Sequence, residues 1–473
     1  MNPPMKKMMA IIVIMFLSLM AALTYIHFFQ AAKLNADGRN ARTIYRQYQM
    51  DRGSIVVAGE PIADSVPSDD DYKYLRTYAQ GSLYAHLTGY YSVVYNSMAE
   101  LEKSQNSVLS GSDSSLFKQR IQELITGKQP QGGTVALTID PAVQQAAAQA
   151  LGNRKGAVVA INPTSGKILA MYSSPSYDPN QLASHSSETA QQAWESYNSN
   201  PDKPLLNRAS GGDLYPPGSV FKIITASAML ESGLTPESKI DSPTLYTLPG
   251  TTTQIPNATG VCGDGSGKST LRTALVLSCN TSFAKAGVDL GASVLQKKAE
   301  DFGFGKSIDI GISMNPSQFP DPADEASLAM DAFGQKDIQV SPLQMAMVAS
   351  AVANHGTLMQ PYLVDQTLSS DLEILSTTKP RVFSEPISRG VADQLTSMML
   401  DVTKHDSLGL PGVNVASKTG TAENAGEDHA WFISFEAAED SRVAVAVFVE
   451  HGGYGARTAG PIAMSVMKAA LHQ

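Results

Sequence analysis

Met8 to Phe29 form a 22-residue apolar run interrupted only by Ser18, Thr24, Tyr25 and His27. At 1.5 Å of rise per residue, a helix of that length spans a hydrocarbon core of ~30 Å. Residues 1–7 lie on one side of it and more than 440 residues on the other. Lys6 and Lys7 precede the run, which holds the short tail in the cytoplasm and places the bulk of the chain outside. A cleaved signal peptide would carry an apolar core of about 7–15 residues ending in a small-x-small site. Tyr25-Ile26-His27-Phe28-Phe29 supplies no such site, so residues 8–29 read as an uncleaved single-pass anchor in the cell membrane. Lys33, Arg39, Arg42 and Arg46 oppose this orientation mildly, but large domains translocate largely regardless of flanking charge.

The remainder has the composition of a folded protein. Hydrophobic residues make up 43% and charged residues 17%, which excludes a disordered chain, a coiled coil and a polytopic membrane protein. The net charge is −9 although residues 1–50 are basic, so no global field exists to hold nucleic acid. Two cysteines exclude a disulfide scaffold and a Cys-rich zinc site. No repeat of 20–50 residues is present, which removes solenoids and propellers.

Residues 30–131 are mixed and polar, with an acidic Ser68-Asp69-Asp70-Asp71, tyrosines at 90, 91 and 95, and a Ser-rich stretch over 107–115. The acidic run lacks EF-hand spacing and reads as a solvated loop. Gln131-Gly132-Gly133 then breaks the chain. Thr134 to Ile139 reads as a strand, and Asp140-Pro141 as the N-cap and first turn of a helix to Leu151. Ala157–Ile161 and Ile168–Tyr172 are strands around an Asn162-to-Gly166 turn; Asn414–Thr421, Ala430–Phe435 and Val443–Glu450 are strands near the other end, followed by a helix over Pro461–His472. Helices are expected over Val220–Glu231, Leu271–Asp289 and Leu343–Asn354. Strands from both ends around a helical centre predict an α+β domain whose sheet unites the two ends of the chain.

Three short motifs could build one active site. Ser219-Val220-Phe221-Lys222 is a Ser-x-x-Lys at a helix start, where i and i+3 share a face and the amine can reach the hydroxyl. Alone it is weak, since the chain holds five such motifs, the others starting at Ser115, Ser282, Ser376 and Ser465. Ser278-Cys279-Asn280 is one of four Ser-x-Asn. Lys418-Thr419-Gly420 is the one Lys-Thr-Gly, and it falls on an expected strand. Singly, each reads as a helix cap, a polar helix residue or an edge-strand lysine. Together, in this order, they match the triplet of penicillin-recognising serine enzymes. Gly263-Asp264-Gly265-Ser266-Gly267-Lys268-Ser269 is not a P-loop, because Cys262 stands where the first glycine is needed; it reads as a surface turn. His405-Asp406-Ser407 is a turn, since adjacent residues do not converge as a triad. No metal or cofactor is called for.

Through Tyr215-Pro216-Pro217-Gly218-Ser219-Val220-Phe221-Lys222, Ser278-Cys279-Asn280-Thr281 and Lys418-Thr419-Gly420-Thr421-Ala422-Glu423, the chain resembles class B penicillin-binding proteins. Within them it is most similar to the penicillin-binding protein A group of actinobacteria. Leu137-Thr138-Ile139-Asp140, Gly166 to Met171, Pro175 to Asn180 and His429-Ala430-Trp431-Phe432 extend the resemblance over residues 134–473; Arg52-Gly53-Ser54-Ile55 carries a weaker one before it. The resemblance implies a pedestal or dimerisation-like module over 30–131 and a transpeptidase domain over 132–473. That domain would have an antiparallel sheet with helices on both faces and an all-helical part. The implied activity is that of a D,D-transpeptidase, crosslinking peptidoglycan stem peptides that end in D-Ala-D-Ala and acylated by β-lactams. Ser219 would be the nucleophile and Lys222, neutral through burial and the Lys418 cation, its base. Ser278 would relay a proton to the leaving amine, and Asn280 would hold Lys222 and the substrate amide. Lys418, Thr419 and Thr421 would take the terminal carboxylate, and Gly420 would let substrate backbone approach the strand. The backbone N–H groups of Ser219 and Thr421 would form the oxyanion hole. A separate membrane glycosyltransferase is the implied partner. A serine β-lactamase or D,D-carboxypeptidase, or a largely non-catalytic scaffold of wall growth, stay as alternatives.

Cys279 fills a position where many relatives of the wider superfamily carry Asp. Cys262 and Cys279 are the only cysteines and both lie outside the membrane, so a disulfide between them is expected.

Overall fold

The computed structural model describes residues 3–30, 48–258, 260–424 and 426–472; Lys33, Arg39, Arg42 and Arg46 lie outside the described residues. Helix α1 (Pro3–Thr24) continues as a wider turn over Tyr25–Gln30. It has a mean hydropathy of 2.2 and is wholly unburied, the one helix among the described residues long and apolar enough to cross a membrane. It starts earlier than the expected Met8 because Pro3 and Pro4 suit a first turn and Lys6 and Lys7 are good helix formers.

The main elements that follow are β1 (Ile55–Val57), β2 (Glu60–Pro67), β3 (Tyr74–Tyr78), α2 (Phe117–Thr126) and β4 (Thr134–Leu137). Next come α3 (Pro141–Leu151), β5 (Gly156–Ile161), β6 (Ile168–Ser174) and α4 (Lys222–Glu231). The centre supplies α5 (Leu271–Val276), α6 (Asn280–Leu290) and α7 (Pro342–Ala353), then β7 (Val364–Leu368) and β8 (Ile374–Thr377). The chain ends with α8 (Arg389–His405), β9 (Val415–Ala422), β10 (His429–Glu436), β11 (Ala444–Val449) and α9 (Gly455–Ala470).

The part of the chain after residue 132 has the expected α+β arrangement. Its antiparallel sheet runs β9-β10-β11-β5-β6, so strands from both ends of the chain meet where Ala446 pairs with Val159. Every residue of β5, β10 and β11 is buried, because helices cover both faces. Val143, Ala147 and Leu151 of α3 and Ile462, Val466 and Met467 of α9 pack with Val158, Val445 and Val447 on one side. On the other, Val159, Ile433 and Phe448 join a larger core with α4, α7 and α8. Helix α7 has no exposed residue, which fits a sequence whose only polar side chains are Gln344 and Ser350. Asp140 caps α3 by accepting from the N–H groups of Ala142 and Val143, with Pro141 in the first turn.

The sequence reading missed a second sheet, ordered β8-β7-β4-β1-β2-β3. Strand β1 pairs parallel with β4, Ile55 against Val135, so the sheet crosses the expected boundary at 131/132 and the two units share it. Its strands are short and carry prolines and charges, and a buried ion cluster holds them. Glu102, fully buried, accepts from Arg52 Nε at 2.6 Å and Arg76 Nε at 2.7 Å, and Tyr78 OH donates to it at 3.2 Å. Arg52 also lies 4.3 Å over the Tyr91 ring. Gly132 and Gly133, expected only to break the chain, thread between Gly53 and Leu109: a Cβ on Gly132 would fall 1.9 Å from the Leu109 carbonyl.

The two guanidinium ions are affordable only with their carboxylate. Glu102→Ala is expected to destabilise the chain by about 3–5 kcal/mol, since it strands two buried cations. Urea unfolding monitored by far-UV circular dichroism measures it; a loss under about 1 kcal/mol would mean the cations find water or other acceptors.

Candidate active site

Ser219 sits on a tight 3₁₀ turn, Gly218–Phe221, ahead of α4 rather than in its first α-turn. Three contacts fix that turn from behind. Gly218 N–H donates to Gly334 O at 2.8 Å, Trp431 Nε1 donates to Pro216 O at 2.9 Å, and Tyr215 pairs with Val340 as an isolated bridge. Gly218 has φ of 55°, and a Cβ there would lie 2.6 Å from Thr421 O, so the turn closes on β9 only without a side chain. Ser219 Oγ is half-buried and makes no hydrogen bond among the described residues. It opens into a cleft of about 500 Å³ lined also by Ser278, Asn280, Thr419 and Thr421.

Lys222 is the first residue of α4 and is fully buried. Its Nζ donates to Ser278 O and Asn280 Oδ1, both at 2.7 Å, and lies 3.3 Å from Ser278 Oγ. Lys418, also fully buried, projects from β9 and donates to Ser278 Oγ at 3.0 Å and Thr419 O at 2.9 Å. Ser278 Oγ therefore lies between two lysine amines. Burial, and then the charge of Lys418, hold Lys222 well below the ordinary lysine range. Burial brings Lys418 down to about 8, against the opposing pull of Asp406. A neutral Lys222 amine spends its two N–H groups on Ser278 O and Asn280 Oδ1, which leaves its lone pair for a hydroxyl proton.

The single helix expected over Leu271–Asp289 is broken into α5 and α6, and the break is what presents Ser278. Leu277 ends the first helix, Ser278 takes φ of 55°, and Cys279 N–H turns back to Ala274 O at 2.8 Å. A left-handed conformation costs a non-glycine residue roughly 1–2 kcal/mol. Apolar periodicity on both sides hid it from the sequence. Cys279 is joined to Cys262 by a disulfide with Cα atoms 5.9 Å apart, which ties the break to the loop before β-paired Lys268–Thr270. All eight sequence-chosen site residues lie at or beside one cleft.

One role needs correction. Gly420 does not clear space for a ligand: a Cβ on it would meet Trp431 Cβ at 2.9 Å and Pro217 O and Val220 Cγ1 at 3.1 Å. Its face of β9 points at the 3₁₀ turn, so the missing side chain seats Ser219 against the strand. Thr419 and Thr421, on the other face, line the cleft at the free edge of the sheet. The sequence reading also missed Gln335, Glu423, Asp428, Tyr454 and Arg457 of the cleft, and Asp406, which it read as a plain turn. Gln335 Nε2 donates to Thr421 O at 3.3 Å. Glu423, in the run after Lys418, was the one with a visible signal. Among the described residues no three His, Cys, Asp or Glu side chains converge, so none is assigned to a metal.

Family models match both parts of the chain: the penicillin-binding protein transpeptidase domain over residues 156–468 and the penicillin-binding protein A dimerisation domain over 52–135. The chain is 40% identical to the peptidoglycan D,D-transpeptidase PbpA of Mycolicibacterium smegmatis, with both chains fully covered. It is equally similar to PbpA of Mycobacterium tuberculosis, covering all of this chain and 99% of that one. Among solved structures, the imipenem acyl-enzyme complex of penicillin-binding protein A from M. tuberculosis superposes with a TM-score of 0.87 at 42% identity, over 90% of this chain and all of that one. Its penicillin G acyl-enzyme complex gives 0.86 at 41%, over 89% and 100%.

Gly420→Ala tests the seating of the turn. The added methyl should destabilise the chain by about 1–3 kcal/mol and displace Ser219, as overpacking does in a filled core. Thermal unfolding reads the cost; an unchanged midpoint would show that the turn does not depend on this contact.

Proposed function

Because the chain belongs to the penicillin-binding protein transpeptidases, we propose that it is a peptidoglycan D,D-transpeptidase working through an acyl-enzyme on Ser219. The observation that carries this reading is Ser278 Oγ placed between the amines of Lys222 and Lys418, at 3.3 and 3.0 Å, with Lys222 held well below the ordinary lysine range by burial. A buried neutral amine one helical turn from a hydroxyl that no hydrogen bond restrains is a base waiting for its proton.

Ser219 Oγ attacks the carbonyl carbon of the penultimate D-Ala and gives its proton to the Lys222 lone pair. The N–H groups of Ser219 and Thr421 receive the oxyanion. As the C–N bond breaks, the leaving nitrogen takes a proton from Ser278 Oγ, which Lys222 replaces, and D-Ala departs. An acceptor amine then attacks the ester, its proton returns by the same route to Ser219, and the crosslink is made. Lys418, with Thr419 and Thr421, holds the terminal carboxylate during the first half. A β-lactam enters the same path, but its leaving nitrogen stays tethered and blocks the acceptor.

The surrounding assignments follow from the same reading. Helix α1 is a single-pass anchor with Lys6 and Lys7 on the cytoplasmic side, and the disulfide suits an extracytoplasmic domain. The proposed partner is a separate membrane glycosyltransferase that would supply the glycan strands to be crosslinked.

Fluorescent penicillin on the full chain tests the reading. The wild type should carry a covalent label that turns over slowly; rapid loss of label would mark a β-lactamase and no label a scaffold. Ser219→Ala should abolish labelling without unfolding, because it removes one hydroxyl from an open turn. Labelling that persists would place the nucleophile elsewhere. Lys222→Arg should also abolish it, since a guanidinium keeps its proton at neutral pH.

The pH profile carries a second check. Burial and the Lys418 charge hold Lys222 well below the ordinary lysine range, so the acid limb of the acylation profile should lie well below that range. Lys418 loses its cation as pH rises through about 8, so acylation by a carboxylate-bearing β-lactam should decline above that value. A rate that keeps climbing above it would remove Lys418 from carboxylate binding.

A further inference from the structure

Helix α2 is amphipathic in the wrong sense for a soluble domain. At about 100° per residue, Phe117, Ile121, Leu124 and Ile125 share one sector and Gln119 and Glu123 lie opposite. The apolar sector faces out: the four side chains are 62%, 42%, 80% and 79% exposed. The polar face packs inward. Gln119 Nε2 donates to Glu123 Oε1 at 2.7 Å and to Gln131 O at 3.2 Å, and Ser370 N–H donates to Gln119 Oε1 at 3.1 Å. Those bonds fix the helix with its apolar side outward, so no described residue of the chain supplies that side with an apolar surrounding.

We propose that α2 lies in the surface of the membrane that holds the anchor, with Phe117, Ile121, Leu124 and Ile125 among the lipid chains. The inference rests on reading α1 as that anchor. Lys118 and Arg120 fall on the two sides of the apolar sector, the arrangement in which cations reach up to lipid phosphates while the stripe between them is buried. The chain arriving from the anchor passes beside the helix: Met50 lines one cavity with Arg120 and Leu124. Eighteen residue steps join Gln30 to Tyr48, at most ~60 Å of extended chain, so the tether keeps α2 within reach of the bilayer. A second copy is the competing occupant, but two such helices packed face to face would bring Lys118 and Arg120 against their own copies with no phosphate between them.

The chain has no free cysteine, so a single introduced thiol can be labelled cleanly. Full-length Leu124→Cys, carrying an environment-sensitive fluorophore, is placed in nanodiscs of phosphatidylcholine and phosphatidylglycerol, one chain per disc, with nitroxide-bearing lipid as quencher. Asp393→Cys, 59% exposed on α8, is the water-facing control. The label at 124 should be blue-shifted and quenched several-fold more strongly than that at 393, and Ile121→Asp with Ile125→Asp should remove the difference. A label at 124 that stays as water-exposed as the control, in a chain still held by the disc, would overturn the inference and leave the anchor standing. Shielding that appears only with two chains per disc would overturn it in favour of a dimer. A chain that does not enter the disc would overturn the anchor reading, and this inference with it.

Discussion

The fully buried amine of Lys222 is the constraint around which the catalytic half is arranged. An ammonium ion without a counter-charge in that position would cost several kcal/mol, which favours the neutral amine and holds the group well below the ordinary lysine range. Among the described residues no carboxylate pairs with it. Its two donors meet Ser278 O and Asn280 Oδ1, which orients the lone pair and leaves the second lysine, Lys418, as the nearby positive charge. Two buried lysines sharing one serine hydroxyl divide the labour: Lys222, lowered by burial and by the Lys418 charge, suits the base, while the strand-borne Lys418, kept cationic in part by Asp406, serves for charge. Burial lowers both, and the neighbouring charges, Lys418 beside one amine and Asp406 beside the other, set the two roles apart.

What the sequence made legible follows from this economy. Ser219, Lys222, Ser278, Asn280 and Lys418 were singled out by residue type and order along the chain, and the fold brings them together at one cleft. The strands read at Ala157–Ile161, Ala430–Phe435 and Val443–Glu450 were legible because burial on both faces leaves a nearly continuous apolar signature, interrupted within the runs only by Ser434. The break at Ser278 was not, since the residues on either side keep helical periodicity and only a backbone angle marks it. Gly420 was misread because a glycine in a strand announces a close approach without saying from which side. Asp406 acts on Lys418 through space alone, and nothing local in His405-Asp406-Ser407 reveals that. The strands of the second sheet were hidden for a related reason: Arg52, Arg76 and Glu102 look like surface charges until the fold brings them together.

The shared sheet changes how the two parts of the chain should be pictured. Strand β4 opens the catalytic half yet pairs with β1 on one side and β7 on the other. Force or displacement applied to the membrane-proximal module is therefore transmitted through backbone hydrogen bonds rather than across a hinge. Gly132 and Gly133 make the joint tighter, because both run against other backbone with no room for a side chain. With α2 turned outward on the same module, the body has a fixed attitude towards whatever surface α2 meets.

The disulfide belongs to the same logic of fixing what chemistry cannot afford to leave loose. Ser278 must hold a left-handed conformation that an ordinary residue abandons readily, and it must do so at the end of a six-residue helix, α5, too short to be stable by itself. The next residue along is Cys279, buried and covalently tied to Cys262. Closing a loop of 17 residues removes unfolded-state entropy worth ~3 kcal/mol on the chain-entropy estimate, more than the roughly 1–2 kcal/mol that the conformation costs. Neither sulfur takes part in proton transfer. The bond acts on the backbone one residue from Ser278 Oγ, so its contribution lies in keeping that oxygen between the two amines rather than in the chemistry they perform.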